Sequence, residues 1–362
     1  MAAATMPTHH RMRLLPALGI AAATLAAIAW HRRAKKASLR AAVLVVGGSG
    51  LMGAPTVRRL VDQGHHVVVL TRGREQGQGT AGKRPELASL AKRIVCDRGD
   101  ADEFKKVLSD PDCPRIVVDF AAMLPEHIEA VLAAHGERPL DHYVFISTNM
   151  VYPGGPEKMD ISSLAAPVSE DRADIELAEL APDSYGGRKL KCEALLQRAF
   201  ACERFPVTVL RPPAVVGPGC DHRHERLQRH VEGLPPLAPR PRAVLATQPG
   251  RFRVAYSEDV AQTVSAVIAR GRSVHGEAFN VACDDSLTLS EYVAAMAQAA
   301  GCELAPAAPE DPSSRNYELQ GLIDISKAQT VLGFQPTPVS AWMPRTVAWH
   351  APILKGAAPA AL

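Results

Sequence analysis

Short apolar runs alternate with amphipathic segments along most of the chain from Ala41 to about Glu203. The runs AAVLVVGG, HVVVLTR, AKRIVCDRGD, PRIVVDFAA, HYVFIST and PVTVLRPP carry apolar residues at successive positions, which is typical of strands buried on both faces. Segments with helical periodicity, such as APTVRRLVDQGH and PEHIEAVLAAHG, lie between them. Strands that alternate with helices pair in parallel through right-handed crossovers. The sequence therefore predicts an α/β fold with a doubly wound parallel sheet.

The regular alternation of apolar and amphipathic segments is interrupted after Pro213. Residues 217–253 are rich in Pro, Arg and His and show no clear periodicity, whereas EDVAQTVSAVIARG and LSEYVAAMAQAAG again predict helices, with the strand EAFNVAC between them. We expect a leader over residues 1–40 and a nucleotide-binding domain over 41–216. A smaller substrate-binding lobe over 217–350, which can also contribute elements to the core, and a tail over 351–362 complete the predicted organisation.

The leader differs in charge from the rest of the chain. Residues 1–42 hold seven Lys or Arg and no acid, and Leu14–Trp30 is a run of 17 uncharged residues. As a helix this run would be about 25 Å long, at the short end of what crosses a bilayer. The basic residues that follow it would leave the body on the cytosolic side. An Ala-rich, acid-free segment with arginines also fits a plastid or mitochondrial transit peptide, so both interpretations stay open.

Charge and cysteine content exclude several classes of protein for the body. Beyond residue 42 the chain holds 34 basic against 38 acidic residues, so no overall attraction to nucleic acid is expected. The seven cysteines form no C-x-x-C pair, which argues against zinc ribbons and redox motifs. An odd number of cysteines without a framework spacing suits a reducing compartment.

The stretch VLVVGGSGLMG places three glycines directly after an apolar run and before an amphipathic segment. Glycines allow a positive φ and let the backbone approach a pyrophosphate at a helix N-terminus. We therefore predict that Gly47, Gly50, Leu51, Met52 and Gly53 cradle a dinucleotide. The alternative is a tight turn that binds no ligand.

The second strand ends without the acid that usually binds the ribose 2′-hydroxyl of NAD. It ends instead with Thr71, Arg72 and Arg74. An arginine at this position can contact the 2′-phosphate of NADP through a bidentate interaction. NADP is therefore favoured over NAD, and a solvated loop of mixed charge remains the alternative.

Tyr185 and Lys189 are four residues apart in a predicted helix, so both project from one face. A lysine ammonium beside a phenol lowers the pKa of the phenol and brings tyrosinate within reach near neutral pH. Such a tyrosine can remove a hydroxyl proton while hydride leaves the same carbon. Thr148, in FISTNMVYP, adds a hydroxyl at the end of the preceding strand.

These motifs together resemble the extended short-chain dehydrogenases/reductases, the NAD-dependent epimerase/dehydratase family. The matching pieces run from about Ala42 to His350 in the family's order: GGSGLMG, CDRGD, VVDFAA, FISTNMVY, YGGRK, VTVLRPPAVVGPG, GEAFNVACDDSLTLSEYV and DISKAQTVLGFQP. Within the family the chain is similar to a divergent branch that includes the chloroplast stem-loop-binding proteins. The resemblance implies a Rossmann-type sheet.

The resemblance also implies roles for individual residues. It implies a catalytic triad of Thr148, Tyr185 and Lys189. Beyond the glycine loop, the implied cofactor contacts are Arg72, Asp97, Arg98, Phe120, Ala121, Ala122, Tyr185, Lys189 and Pro212. Arg253 and Arg315 are the implied ligands of a substrate diphosphate, with Arg251 competing for the role of Arg253.

Two departures from the family's pattern restrict the reaction. Sugar-nucleotide 4,6-dehydratases follow the triad Thr with an Asp-Glu pair, whereas Thr148 is followed by Asn149 and Met150, which do not exchange protons. Dehydration is therefore disfavoured. The segment after DFAA is short and lacks the N-V-x-G-T helix of typical sugar epimerases. The Arg/His-rich residues 217–253 fit a basic flap over a diphosphate, a solvated loop or an RNA-contacting patch, and their histidines do not predict a metal site.

The leading hypothesis is an NAD(P)-dependent oxidoreductase or epimerase that acts on a hydroxyl-bearing carbon, with a nucleotide sugar as the expected substrate. No metal and no nucleic acid are expected as partners, a homodimer is compatible with the family, and membrane contact is expected only through residues 14–30. The alternative hypothesis is a non-catalytic RNA-binding or scaffold protein on the same fold.

Overall fold

The apolar runs pair side by side in a single parallel sheet. The computed structural model describes residues 40–72, 86–152, 167–173, 175–176, 178–219, 242–244, 251–301, 303–305 and 321–354. Its strands are β1 (Ala42–Val46), β2 (His66–Thr71), β3 (Lys92–Val95), β4 (Ile116–Asp119), β5 (His142–Ile146), β6 (Val207–Arg211), β7 (Val215–Val216), β8 (Arg242–Val244), β9 (Ala255–Tyr256), β10 (Ala278–Asn280) and β11 (Glu303–Ala305). Seven of them form the main sheet in the order β10-β6-β5-β4-β1-β2-β3. All neighbours in it are parallel, which confirms the predicted doubly wound fold.

Helices connect the strands and cover the sheet. They are α1 (Gly53–Asp62), α2 (Glu86–Leu90), α3 (Ala101–Ser109), α4 (Pro125–Glu137), α5 (Tyr185–Glu203), α6 (Ser257–Arg270), α7 (Leu289–Ala300) and α8 (Val339–Leu354). Short 3₁₀ turns occur at residues 149–151, 170–172, 178–180 and 271–274, and a π-helical turn occurs at Ala328–Leu332. The helix α8 was not predicted from the sequence, although its Trp342 is fully buried.

Alternate residues of the strands fill the two faces of the sheet. In β1, Val43 and Val45 belong to one core cluster, and Leu44 and Val46 belong to the other. This arrangement follows from the two-residue repeat of a strand, and it explains why the run is apolar at every position. A third cluster around Trp342 is built from residues of the C-terminal part, including α7 and α8.

The strand β3 differs from the prediction. The run AKRIVCDRGD reads as a buried strand, but β3 is the last strand of the sheet, and Val95 is 55% exposed. A strand at the edge has a neighbour on one side only, so less of its surface is covered. Local composition does not reveal whether an apolar run lies at the centre or at the edge of a sheet.

The C-terminal part contributes directly to the main sheet. The strand β10, predicted as EAFNVAC, pairs with β6 and extends the sheet beyond it. There are also two small parallel sheets among the described residues. In one, β7 and β9 pair on either side of the Pro/Arg/His-rich residues 217–253, and in the other, β8 within that segment pairs with β11. Residues 41–362 form one compact unit, and the division expected at residue 216 stays a prediction.

The leader prediction falls on residues outside the structural description. Leu14–Trp30 and the rest of residues 1–39 are not described. Within the described ranges, none of the helices combines the length and the apolar character that crossing a membrane requires.

Candidate active site

The predicted site residues cluster where the central strands end. Gly47 follows β1, Phe120 follows β4, Thr148 lies just after β5, and Pro212 follows β6. Because the carboxyl ends of parallel strands meet at one edge of a sheet, the topology brings these four segments together. Ligands bind at this edge in open α/β sheets, beside the point where the strand order reverses.

At two of the three glycines of the loop, Gly47 and Gly53, contacts and conformation within the chain itself require a glycine. Gly47 has a φ of +79°, and its N–H donates to Leu70 O at 3.1 Å. A Cβ on Gly53 would lie 2.2 Å from Gly47 O, closer than real contacts allow. A Cβ on Gly50 would meet only Gly47 O, at 3.2 Å. Gly50 therefore faces space that the described protein atoms leave open.

The first turn of α1 begins at this loop without a side-chain cap. Met52 occupies the N-cap position and makes no capping hydrogen bond, and the first turn carries no acid. The first N–H groups of a helix need partners from outside it, and an anion at this end is also favoured by the helix dipole. Loop and helix together therefore suit a phosphate, as the glycine pattern predicts.

The end of β2 presents a hydroxyl where an acid is usual. Among the described residues, the buried Thr71 Oγ1 has no hydrogen-bond partner, and Arg72 next to it is exposed. Arg74 lies outside the described residues. In the part of the chain that the structure describes, an unsatisfied hydroxyl and the exposed side chain of Arg72 thus lie at the position predicted for the adenosine ribose.

Asp97 and Arg98 follow β3 but have different environments. Asp97 is exposed and accepts a hydrogen bond from Gly99 N at 2.9 Å. Arg98 is 4% exposed, forms an ion pair with Asp119 at 3.1 Å and donates to His127 O at 2.7 Å. Its Nε and Nη2 are thus engaged within the protein, whereas its buried Nη1 has no partner among the described residues.

Asp119, at the end of β4, organises the segment predicted to line the cofactor. It is 0% exposed, and its Oδ1 accepts hydrogen bonds from the N–H groups of Ala121 and Ala122, both at 2.8 Å. Its Oδ2 accepts from Tyr143 Oη at 3.0 Å as well as from Arg98. The sequence motifs did not single out Asp119, although an acid directly after the apolar run IVV was a signal for it.

Thr148 lies in a tight turn that follows β5 and contacts the segment after β6. Its buried Oγ1 accepts a hydrogen bond from Met150 N at 3.3 Å and so caps the 3₁₀ turn at residues 149–151. The N–H of Asn149 donates to Pro212 O at 3.1 Å. The two predicted segments around Thr148 and Pro212 are therefore in direct contact.

Tyr185 is the first residue of α5, and the helix approaches the Thr148 turn closely. A Cβ on Gly186 would lie 2.2 Å from Met150 O, and one on Gly187 would lie 1.9 Å from Pro182 O. Ser184 caps the helix by accepting from Gly187 N at 3.1 Å. In YGGRK, Gly186 thus permits Tyr185 to lie beside the turn of Thr148, and Gly187 permits the close approach of α5 to the segment that precedes it.

Lys189 is buried one helical turn after Tyr185. It is 1% exposed, and its Nζ donates to Ala122 O and to Ile146 O, both at 2.6 Å. The ammonium also lies 4.5 Å from the centre of the Phe145 ring. Burial is the main cause that lowers the pKa of Lys189 to about 8. Lys189 therefore connects the segment after β4 with the end of β5.

The electrostatics of Tyr185 differ from the prediction. Burial raises the pKa of the Tyr185 phenol, and Lys189 is not among the groups that shift it. The reason is geometric, because the ammonium is directed at two backbone carbonyls, while Tyr185 remains 44% exposed. The expected lowering of the phenol pKa is therefore not what this structure shows, and the catalytic roles of the triad stay a proposal.

The arginines predicted for a substrate diphosphate are distinguishable by their partners. Arg251 is exposed and forms hydrogen bonds with Ser286 and an ion pair with Glu291 at 2.9 Å. Arg253 is more buried, donates to Ile323 O at 2.8 Å and forms an ion pair with Asp284 at 3.4 Å, and its buried Nε has no partner among the described residues. Both arginines are therefore paired with a carboxylate, and they differ in having an unsatisfied Nε only in Arg253. Arg315 lies outside the described residues.

Within the described ranges, no group of three or more His, Cys, Asp or Glu residues is arranged to hold a metal ion. The histidines of residues 217–253 lie outside these ranges, as do most of the arginines there.

Comparison with known proteins places this site in a family context. The solved structure of UDP-glucuronic acid 4-epimerase from Bacillus cereus in complex with NAD aligns with a TM-score of 0.68 at 22% identity, over 88% of this chain and 99% of that one. The dTDP-L-rhamnose 4-epimerase of Burkholderia thailandensis is 26% identical over 214 residues, which are 49% of this chain and 58% of that protein. The chloroplast stem-loop binding protein of 41 kDa b of Arabidopsis thaliana is 28% identical over 188 residues, 50% of this chain and 44% of that protein.

The chain thus matches about half the length of these curated relatives, while the fold is shared over almost the whole of the solved epimerase. The model of the NAD dependent epimerase/dehydratase family matches residues 43–130 and 126–282, which include the glycine loop, the Thr148 turn and the Tyr185–Lys189 pair. These matches confirm the resemblance inferred from the motifs. The chain belongs to the NAD-dependent epimerase/dehydratase family.

Proposed function

We propose that this protein is an NAD(P)-dependent epimerase or oxidoreductase that acts on a hydroxyl-bearing carbon of a nucleotide sugar. The observation that carries the proposal is that Thr148, Tyr185 and Lys189 lie on segments in mutual contact at the carboxyl edge of the sheet, where the glycine loop also lies. Relatives named as a dTDP-L-rhamnose 4-epimerase and a UDP-glucose 4-epimerase support the substrate class.

The residues present fit a nicotinamide dinucleotide. The backbone at Gly50 and the uncapped first turn of α1 suit its pyrophosphate, and Thr71 offers a hydroxyl to the adenosine ribose. The segment of Ala121 and Ala122 lies against the loop, since a Cβ on Gly47 would approach Phe120 Cβ to 3.3 Å. When bound, the dinucleotide would supply an acceptor and a donor of hydride.

The protein's own groups would handle the proton. With its raised pKa, Tyr185 is protonated at neutral pH, so its phenol can donate a proton to a carbonyl oxygen. The tyrosinate left behind can take the proton back from the corresponding hydroxyl. Epimerisation would begin from the tyrosinate form, which takes the hydroxyl proton as hydride leaves, and would end with return of that proton, so it leaves no net proton. A reduction would begin from the phenol and use only the donation. Thr148 would hydrogen-bond the reacting oxygen, and Lys189 would hold the nicotinamide ribose with the N–H bond that Ala122 O and Ile146 O leave over.

The same geometry disfavours dehydration. Eliminating water from a sugar requires an acid and a base beside the ring, and the positions after Thr148 carry Asn149 and Met150. The backbone N–H of Asn149 is engaged by Pro212 O, so the turn is fixed by a structural contact. We therefore propose epimerisation or reduction, with no elimination step.

The cofactor preference follows from the end of β2. Thr71 carries no charge and would tolerate a 2′-phosphate, and the exposed Arg72 can pair with it. We therefore propose that NADPH binds more tightly than NADH. An Asp at position 71 should reverse this order.

The first experiment is a titration of the full-length protein with NADPH and NADH, followed by nicotinamide fluorescence. We expect saturable binding of at least one cofactor, and its loss in Gly50→Asp, because a carboxylate would occupy the open space over the loop. The matched control is Gly136→Asp, the same substitution at a helical glycine where a Cβ meets nothing within 4 Å. Failure of the wild-type protein to bind either cofactor would refute the proposed function.

The second experiment measures C4 inversion or reduction of UDP- and dTDP-sugars by NMR, with and without Tyr185→Phe. Removing the phenol oxygen should lower the rate by about 100-fold or more while cofactor affinity is retained. The control Tyr292→Phe changes a tyrosine that packs against Phe252, and it should keep the wild-type rate. Undiminished turnover in Tyr185→Phe would contradict the assigned role.

The non-catalytic alternative has its own outcome. If turnover is absent but a stem-loop RNA binds in a salt-dependent way that survives Tyr185→Phe, the scaffold hypothesis replaces the proposed enzyme.

A further inference from the structure

The buried carboxylate of Asp119 is connected to Lys189 through a continuous set of short contacts. Asp119 Oδ1 accepts from Ala121 N and Ala122 N at 2.8 Å, and Ala122 O in turn accepts from Lys189 Nζ at 2.6 Å. Ala122 therefore contacts the Asp119 carboxylate through its N–H and the Lys189 ammonium through its carbonyl oxygen. Any rotation of the Ala122 peptides would displace the acceptor of Lys189.

The other carboxylate oxygen is held from three directions. Asp119 Oδ2 accepts from Arg98 Nε and Arg98 Nη2, each at 3.1 Å, and from Tyr143 Oη at 3.0 Å. The Arg98 guanidinium is fixed in turn by His127 O and by the face of the Phe104 ring, 4.0 Å away. Both oxygens of Asp119 are thus held by hydrogen bonds, and the carboxylate in turn fixes the backbone positions of Ala121 and Ala122.

Stability alone does not explain why a charged pair, Asp119 and Arg98, rather than an apolar pair, occupies these two buried positions. Burying an ion pair is costly in desolvation, and a well-packed apolar pair of similar volume is often as stable or more so. Arg98, the partner of Asp119, lies over the ring of Phe104, which belongs to an apolar core cluster. The pair lies directly beside Ala122, whose carbonyl oxygen is one of the two acceptors of Lys189.

On this basis, and resting on the proposed function, we propose that Asp119, clamped by Arg98, is a positioning residue that orients Lys189 toward the cofactor through the backbone of Ala121 and Ala122. Asp119 itself touches no reacting atom. It fixes Ala122 O, which together with Ile146 O uses two of the three N–H bonds of the ammonium. The remaining N–H bond then has a defined direction.

The ionisation of Lys189 provides a readout that does not require substrate. After burial, the groups that act on its pKa are Cys192, Asp119 and Glu193, which raise it, and Arg98, which lowers it. Replacing Asp119 with Asn removes one of the raising charges and leaves Arg98 uncompensated. The pKa of Lys189, about 8 in the wild-type protein, should therefore fall.

The experiment is a pH titration of full-length protein carrying ¹³C at the lysine ε-carbons, in the absence of cofactor, with the Lys189 signal identified by its loss in Lys189→Met. In Asp119→Asn we expect the titration midpoint of Lys189 to shift down and NAD(P)H affinity to fall about tenfold, roughly the contribution of one charge-assisted hydrogen bond. The matched control is Asp259→Asn, because Asp259 is also a buried carboxylate that binds a backbone amide, that of Thr337, at 2.8 Å. It should lower stability without moving the Lys189 midpoint.

A second variant keeps the test decisive if Asp119→Asn does not fold. The double variant Arg98→Met/Asp119→Asn removes both charges, so that no buried ion is left unpaired, and it still loses the clamp on the carboxylate position. The double variant loses the raising effect of Asp119 and the lowering effect of Arg98 on the pKa of Lys189 together, so its readout is cofactor affinity. Unchanged affinity in the folded double variant, or an unchanged Lys189 midpoint and affinity in folded Asp119→Asn, would overturn the positioning role and leave Asp119 a structural residue. Failure of the wild-type protein to bind cofactor would instead overturn the proposed function, while the Lys189 titration would still report on Asp119.

Discussion

The ring of His142 is enclosed where β5 enters the sheet. Its Nε2 lies 2.8 Å from Thr208 Oγ1, and because that hydroxyl donates its own proton to Val274 O at 2.7 Å, Nε2 must be the donor to it. The ring of His275 lies 4.4 Å away, centre to centre. Burial, together with the charge of His275 when it is protonated, lowers the pKa of His142 to about 3. The neutral form of His142 is therefore part of the folded state.

This residue predicts a pH dependence of stability. An unfolded histidine titrates near 6.5, so the contribution of His142 is fully present above that pH and is lost as the pH falls from about 6.5 toward 3. The slope from this one group is at most about 1.4 kcal/mol per pH unit. Urea unfolding at pH 7.5, 6.0 and 5.0 should show a smaller loss of stability in His142→Gln than in the wild-type protein.

The control for this measurement is His66→Gln, which changes an exposed histidine at the start of β2. It should keep the wild-type dependence on pH. Parallel curves for all three proteins would show that His142 does not determine the acid sensitivity of the fold.

At the same scale, residue spacing predicted some features of the site and missed others. The separation of four between Tyr185 and Lys189 correctly placed both on α5. The partners of Lys189 could not be predicted, because Ala122 and Ile146 become its neighbours only when β4 and β5 pair in the sheet. For the same reason the sequence pointed to a lowered pKa of Tyr185, while its environment raises that pKa.

At the scale of elements, the contact between α5 and the turn at residues 149–151 determines the geometry of the site. The helix Tyr185–Glu203 agrees with the helix predicted around Tyr185 and Lys189, and Ser184 provides a recognisable N-cap. The close approach at Gly186 was not predictable, since its partner Met150 is distant in sequence and contacts it through a backbone oxygen. Local patterns define the element, and tertiary packing defines where it lies.

This contact gives a prediction for Gly186→Ala. The added methyl group would lie 2.2 Å from Met150 O, so α5 has to shift away from the turn. We expect a loss of about 1–3 kcal/mol in the free energy of unfolding, the usual cost of overpacking, together with weaker binding of NAD(P)H. Urea unfolding and the nicotinamide fluorescence titration would measure the two effects.

The matched comparison is Gly136→Ala, also in a helix but with open space around the new methyl group. Its effect should lie within about 1 kcal/mol and be neutral or stabilising, because alanine favours helix more than glycine does. Equal effects of the two substitutions would show that the approach of α5 to Met150 imposes no steric limit.

At the scale of the whole molecule, the end of β10 joins parts of the chain that are distant in sequence. Asn280 accepts a hydrogen bond from Tyr152 Oη at 2.6 Å, and its side-chain amide donates to Val168 O and Asp324 O. Its backbone N–H donates to Glu170 Oε1 at 2.8 Å. The fold class could be predicted from the alternation of strands and helices, whereas this junction could not, because no local pattern indicates which segments one asparagine will connect.

The late position of β10 in the chain has a consequence for biosynthesis. Its residues 278–280 pair with β6, which ends at Arg211, so β6 emerges from a ribosome well before its outer neighbour. At about 5–20 residues per second the delay is roughly 3–13 seconds. During that time β6, which is buried at all five positions in the finished protein, has no neighbour on its outer side and is open to wrong pairing. Completion of the main sheet therefore has to wait for a segment made about 70 residues after β6.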